Sequence, residues 1–386
     1  VYSAPGVQSG AAASVRGGSV AKKKKDTPSV IDVLLGIAET HPNILLGSVY
    51  ENFEVPVITT GNTVLNLLLR GGLPVSRFVE VFGEVSQGKT SLAYQAMAGC
   101  NSEGGYCVYV NAENAWNPKR ARQMGVNLAL TVVIPPCSLE DVFAGLQEII
   151  LRIRTVDMAC PILVVWDTIA MSSLEAELDA ELESPESDAE EDGEGKPKQK
   201  RHGMAASART LRECLRKLTV IIYQHKVAVV LLNQVIQKIP KPGQKMFGPT
   251  TTTPGGGAPK FMSSIRLEVQ SKGKYKCGGE VLGIVSQVRV IKSNLFRPFD
   301  SADIVITFDH GVDEVFTLSD TLYRQKLVHP ERKDRYVDQD GGWFSVLTPA
   351  GETVRCRHQE IPRLVGEHDG MLKMWQGAAY QLLRLP

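Results

Sequence analysis

An excess of charge of either sign is missing from this 386-residue chain: 43 Lys and Arg stand against 42 Asp and Glu, a formal net charge of +1. That balance excludes a globally basic nucleic-acid binder, so any grip on a polyanion must come from local patches. Long apolar runs are missing as well. None reaches the roughly 18 residues that span a bilayer, and no signal-peptide pattern opens the sequence. The seven cysteines are odd in number and scattered, with no Cys-x-x-Cys pair. Neither a disulfide frame nor a zinc site is indicated; they read as reduced, mostly buried thiols of an intracellular protein. Aromatic residues are few at 6%, yet the hydrophobic fraction of 43% is too high for wholesale disorder. A cytoplasmic protein of two or three domain-sized units is expected, at roughly 150 residues per domain.

What is present changes along the chain. Residues 1–27 hold Gly, Ala, Ser and Val before Lys22-Lys23-Lys24-Lys25, which reads as a disordered basic tail or as an arm touching nucleic acid. Within 28–60, Val30, Val33, Leu34 and Ile37 share one face of a short helix over 30–38, too short to stand alone. From 61 to 312, apolar strand-like runs alternate with helical periods. Phe78–Phe82, Tyr106–Val110, Ile162–Trp166 and Val227–Leu232 read as strands. Helices are expected over Lys89–Cys100, Pro118–Met124 before Gly125, Leu139–Ile153 behind a Ser138 cap, and Met204–Lys226. Continuous apolar strands between helices predict an α/β fold with a mostly parallel sheet covered on both faces. Residues 313–386 read as a smaller C-terminal unit.

Two stretches interrupt the alternation. Residues 175–194 carry eleven acids, followed by Lys196, Lys198, Lys200 and Arg201. Residues 235–259 contain Lys238, Lys241 and Lys245, four threonines (Thr250–Thr253) and Gly255-Gly256-Gly257, with no acid. Both read as loops on a rigid scaffold, at about 175–204 and 235–259, where binding function concentrates.

Gly83-Glu84-Val85-Ser86-Gln87-Gly88-Lys89-Thr90, with Ser91 after it, fits G-x-x-x-x-G-K-[ST] between an expected strand and helix. A loop that wraps a phosphate with its own N–H groups needs glycine where a side chain would block the approach. Lys89 is placed to neutralise outer phosphates, and Thr90 to offer its hydroxyl to Mg²⁺. Asp167 ends a strand, where a second metal-site acid belongs. Glu113 follows another strand end, where a carboxylate can polarise the water attacking a γ-phosphate; a solvated loop acid is the plain alternative. Gln234, at the end of Val227–Leu232, is placed to contact the γ-phosphate and report it to the adjoining loop.

These residues, in this order, resemble the RecA family of DNA strand-exchange ATPases. Gly71-Gly72-Leu73-Pro74 and Val79–Gly83 match the approach to the family's phosphate loop, Asn111–Ala115 its catalytic-glutamate strand end, Asp167-Thr168 its metal-site aspartate, and Leu232-Asn233-Gln234 its sensing glutamine. Met246-Phe247-Gly248, the threonine run and Lys260-Phe261 match the second DNA-binding loop and its exit; Val288–Lys292 with Pro298-Phe299 matches a late core strand. The likeness covers roughly 55–312. It implies ATP and Mg²⁺ between protomers of a helical filament on single-stranded DNA. It further implies that Glu113 activates water, Gln234 couples nucleotide to DNA, Lys292 reaches the neighbour's phosphate, Phe261 packs in that interface, and the helix at 30–38 docks on the next protomer.

The DNA side follows the same pattern. Lys238, Lys241 and Lys245 suit phosphates without base preference, each of them singly also readable as a solvated surface charge. By the resemblance, Ile239 wedges between bases, Met246 and Phe247 belong to the same loop, Met204 stands at the tip of the first loop, and Arg209 and Arg216 lie near the DNA axis. Departures are visible: the acidic stretch in the first loop, Asn294 where the family has a second lysine, Ile236 for a frequent arginine, and Arg120 where an aromatic stacks on adenine. The expected function is an ATP-dependent recombinase for homologous pairing and strand exchange in DNA repair. The alternatives are a ring-forming RecA-fold translocase or helicase, and a regulatory paralogue that binds ATP and DNA without exchange.

Overall fold

The computed structural model describes residues 30–41, 54–169, 199–237, 251–254, 257–277 and 279–381. The chain divides into two units, residues 1–54 and 55–386. In the first, helix α1 (Val30–Thr40) exposes Val30, Ile31, Val33 and Leu34.

In the second unit the order is β1 (Val57–Ile58), α2 (Thr63–Leu68), β2 (Leu73–Pro74), β3 (Phe78–Gly83), α3 (Lys89–Ser102), β4 (Tyr106–Asn111), α4 (Pro118–Gln123), β5 (Thr131–Ile134), α5 (Leu139–Val156) and β6 (Ile162–Asp167). After them come α6 (Gln199–Gln224), β7 (Val227–Gln234), β8 (Ile236–Gln237), β9 (Thr251–Thr252), α7 (Ala258–Met262), β10 (Ile265–Cys277), β11 (Glu280–Ser293), β12 (Ser301–Thr307) and β13 (Gly311–Val312). The chain closes with α8 (Glu314–Arg324), β14 (Val337–Asp340), β15 (Trp343–Leu347), β16 (Thr353–Cys356), α9 (Ile361–Glu367) and α10 (Met371–Gln381).

The main sheet has nine strands in the order β13-β12-β11-β10-β3-β7-β6-β4-β5. The pairings from β5 through to β10 are parallel, while β10, β11, β12 and β13 pair antiparallel. It is therefore a mixed, largely parallel α/β sheet. Strands β3 and β6 are buried at every residue, which is why they read as unbroken apolar runs. Successive side chains nonetheless go to opposite faces. Cys107, Tyr109, Leu163, Val165, Ala228 and Val230 enter one core with α2 and α3; Val108, Val110, Val164, Trp166, Val227 and Val229 enter a second core with α5 and α6. That split is the period of two that a strand imposes.

Residues beyond 312 share the first core: Tyr336, Val346, Ile361, Met371 and Trp375 pack into it. Glu314, opening α8, accepts from Asn62 Nδ2 at 2.6 Å and from the N–H of Thr63 at 3.0 Å, so its carboxylate caps α2. Among the described residues, no helix is long and apolar enough to cross a membrane.

Local differences from the expected elements are instructive. Helix α6 begins at Gln199, not 204, because Gln199, Lys200 and Arg201 are good helix formers following Pro197. The 235–259 stretch is rooted by a ribbon pairing Ile236 with Thr252 and Gln237 with Thr251. Residues 170–198, 238–250 and 255–256, with the whole acidic stretch 175–194 and the central part of the second loop, lie outside the described residues.

Candidate functional site

Four motif-bearing strands, β3, β7, β6 and β4, are neighbours in the sheet and run parallel. Their carboxyl ends therefore deliver the loop 83–90, Gln234, Asp167 and Glu113 to one edge, where ligands of open parallel sheets collect. The register makes this concrete: Gly83 lies opposite Gln234 and Asn111 opposite Asp167.

The loop 83–90 leads straight into α3, whose N-terminal cap, Gly88, has φ +93°. A Cβ there would lie 2.4 Å from Ile306 Cδ1, and one on Gly83 would lie 2.3 Å from the Val269 carbonyl oxygen. Only glycine fits the backbone at these two points. Lys89 turns back into the loop, its ammonium donating to the carbonyls of Gly83 (3.0 Å) and Glu84 (2.6 Å). Gln87 is clasped from the hairpin β10–β11: its side chain accepts from the N–H of Ser271 and its carbonyl accepts from Ser286 Oγ at 2.8 Å.

Across the loop, Asp167 is buried at 1% exposure. Its Oδ2 accepts from Thr90 Oγ1 at 3.0 Å and from the Tyr109 hydroxyl at 2.6 Å. Gln234 Nε2 donates to Glu113 Oε1. A cavity of about 310 Å³ opens here, lined among others by Ser86, Gly88, Lys89, Thr90, Ser91 and Val85 from the loop, by Glu113, Asp167, Thr168 and Gln234, and by Arg120, Ile284, Ile306 and Phe308.

The charges perturb one another. Burial lowers the Lys89 pKa, and the carboxylates of Asp167 and Glu113 partly restore it. Burial raises Asp167, against the hydrogen bonds from Tyr109 and Thr90 and the charge of Lys89. Glu113 is raised by burial and then by the Asp167 charge, with Lys89, Gln234 and Thr168 pulling the other way. Two cations and two carboxylates thus face the cavity, giving no net charge for a polyphosphate. Its backbone N–H groups and helix N-terminus suit phosphate. Among the described residues no cluster of three or more His, Cys, Asp or Glu forms a cation cage. The Thr90 hydroxyl beside the Asp167 carboxylate instead fits Mg²⁺, which keeps several waters and shares phosphate oxygens.

The remaining sequence candidates separate into groups. Arg120 lines the cavity, but its guanidinium donates to the carbonyls of Phe308 and, at 3.1 Å, Thr307. Lys292 lies outside the cavity, donating to the carbonyls of Ser263 (2.8 Å), Phe261 (3.1 Å) and Lys260 (3.3 Å) at the end of α7. Arg209 and Arg216 are exposed on α6, and Met204 lies in the same helix. Lys238, Ile239, Lys241, Lys245, Met246 and Phe247 lie outside the described residues. Sequence reasoning passed over Tyr109, Ser286, Ile306 and Phe308. A tyrosine in an otherwise apolar buried strand was a usable signal, because its hydroxyl needs a partner; the others carried none.

A glycine loop between a parallel strand and a helix, facing acids on the neighbouring strand ends, places the chain among the P-loop nucleoside triphosphatases. Residues 40–313 match the family model for the RecA N-terminal domain. The chain is 31% identical over 325 residues to Protein RecA of Thioalkalivibrio sulfidiphilus (strain HL-EbGR7), covering 83% of this chain and 84% of that one. It is 31% identical over 343 residues to Protein RecA of Paramagnetospirillum magneticum (strain ATCC 700264 / AMB-1), covering 88% and 86%. Against Protein RecA of Agrobacterium fabrum (strain C58 / ATCC 33970) it is 33% identical over 301 residues, covering 78% and 73%. This chain belongs to the RecA family.

Proposed function

We propose that the chain is a DNA-dependent ATPase that assembles as a helical filament on single-stranded DNA and promotes homologous pairing and strand exchange. Family membership carries the general part, ATP-dependent action on DNA in recombination. The observation that carries the finer part is the hydrogen bond from Gln234 to Glu113. It joins the carboxylate best placed to hold a water to the strand end from which the lysine-bearing, acid-free stretch 235–259 departs.

In this reading the N–H groups of residues 83–90 wrap the polyphosphate, and Lys89 exchanges its carbonyl partners for outer phosphate oxygens. Thr90 and Asp167 would hold Mg²⁺, which when bound offsets charge on the phosphates. Glu113 orients a water and accepts its proton as the oxygen attacks the γ-phosphorus and the bridging oxygen leaves with ADP. Gln234 holds Glu113 in place, and Arg120, which lines the cavity, is assigned to the adenine base.

Lys292, outside its own chain's cavity, is assigned to the neighbouring protomer's polyphosphate. Phe261, 74% exposed, and the apolar face of α1 belong to the interface between protomers. Met204, Arg209, Arg216, Lys238, Ile239, Lys241, Lys245, Met246 and Phe247 form the DNA surface. Electron micrographs with single-stranded DNA and ATP test the assembly: continuous helical filaments are expected, and closed rings would overturn it. Exchange between circular single strands and linear duplex tests the activity, with joint molecules expected only when ATP is present.

A further inference from the structure

Behind the cavity lies a second polar cluster that hydrolysis does not use. Glu80 sits mid-strand in β3, three residues before Gly83, with 0% exposure. Its Oε2 accepts from Arg266 Nε on β10 at 2.5 Å, and its Oε1 from Asn233 Nδ2 on β7 at 3.0 Å. Asn233, equally buried, uses its whole amide: Nδ2 also donates to the Pro254 carbonyl at 3.2 Å, and Oδ1 accepts the N–H of Gln234 at 2.9 Å. Arg266 stacks over the Phe82 ring at 4.4 Å and pairs in register with Lys292.

Stability alone does not account for this arrangement. A buried ion pair is often matched or bettered by apolar residues of similar volume, and the neighbours of Glu80 along β3, Phe78, Val79, Val81 and Phe82, are all apolar and buried. What distinguishes the cluster is its connectivity. β10, β3 and β7 are consecutive in the sheet. Asn233 joins them to Pro254, two residues beyond the ribbon that roots the 235–259 stretch. Its other contact fixes the backbone of Gln234, whose side chain reaches Glu113. A displacement at the ribbon's root therefore has a short covalent and hydrogen-bonded route to the carboxylate in the cavity.

We propose that Asn233, held by the Glu80–Arg266 pair, is a positioning residue that makes the Gln234–Glu113 contact depend on the root of the 235–259 stretch, and so couples DNA binding to nucleotide turnover. The inference rests on the DNA-dependent ATPase reading above. Coupling between the two binding events is reciprocal: if DNA alters nucleotide affinity through Asn233, nucleotide alters DNA affinity through it by the same factor.

The test uses the full chain with Asn233→Ala and, as a change that keeps an acceptor for the Asn233 amide while removing the charge that pairs with Arg266, Glu80→Gln. ATP turnover is measured with and without a single-stranded oligothymidine, and oligothymidine affinity is measured with a non-hydrolysable ATP analogue and with ADP. In both variants DNA-stimulated turnover falls by more than DNA-free turnover does. DNA stimulation, and the ratio of the two DNA affinities, fall by about fivefold or more for Asn233→Ala and by less for Glu80→Gln. A proportional loss of DNA-free and DNA-stimulated turnover would overturn the proposal, because a merely structural role predicts it. Wild-type ratios in either folded variant would overturn it too, and if Asn233→Ala does not fold, Glu80→Gln decides. A wild-type chain that oligothymidine does not stimulate would instead remove the ATPase reading on which the inference stands.

Discussion

Replacing Glu113 by Gln should push activity and stability in opposite directions. A general base contributes typically 10²–10⁴ in rate, so turnover is expected to fall by about that factor, or about 3–5 kcal/mol in activation free energy. The fold should gain. Burial and the Asp167 charge hold the Glu113 carboxyl above its ordinary range, so the ionised form is the one the folded state disfavours. That deficit is absent at pH values below the unfolded pKa and develops as the pH rises through the higher folded value. Glutamine removes it while its carbonyl can still accept from Gln234. Because Glu113 is only partly buried, the gain is at most about 1 kcal/mol, or under about 2 °C in melting temperature for a unit of this size. The assay pairs steady-state hydrolysis with thermal melting at neutral and at mildly acidic pH. Wild-type turnover should fall as the pH drops through the raised Glu113 value, and the melting advantage of the variant should vanish there. A rate loss below about tenfold, or a lower melting temperature at neutral pH, would refute the reasoning.

Asp167→Asn keeps an acceptor for Thr90 and Tyr109 but removes the charge, so the Mg²⁺ concentration for half-maximal turnover should rise about 10–100-fold; an unchanged requirement counts against a metal role. Arg154 is buried at 6% exposure and donates to the carbonyls of His225 (2.9 Å), Cys160 (2.9 Å) and Asp157 (3.1 Å), tying α5 to the turns before β6 and β7. Arg154→Met should lower unfolding free energy by about 3 kcal/mol in a urea titration while leaving the KM for ATP unchanged; a loss under about 1 kcal/mol would show those carbonyls find other partners.

The parallel half of the sheet was legible because its signals are local. An apolar run ending in Gly83, Asp167 or Gln234 announces both the strand and the residue it delivers. The antiparallel half was not. β10 carries Lys272, Lys274 and Lys276 in its outer part, so no apolar run marks it, and its partner β11 showed only as the short stretch 288–292. With that hairpin went the clasp of Ser271 and Ser286 on Gln87, and the Ile306 and Phe308 wall, contacts made across nearly two hundred residues of sequence. Glu80 was half visible: an acid inside a continuously buried strand demands a partner, but nothing local points to Arg266.

The register of β3, β7, β6 and β4 also decides where this molecule tolerates novelty. Slipping any of these strands by one residue would shift its terminal group by about 3.3 Å and turn it to the opposite face, so their lengths are frozen. Added sequence is harmless only once a strand has already handed over its residue. The acidic stretch begins after Asp167 and the threonine run after Gln234, the two junctions at which extra chain can be spliced in without disturbing the four-strand edge upstream.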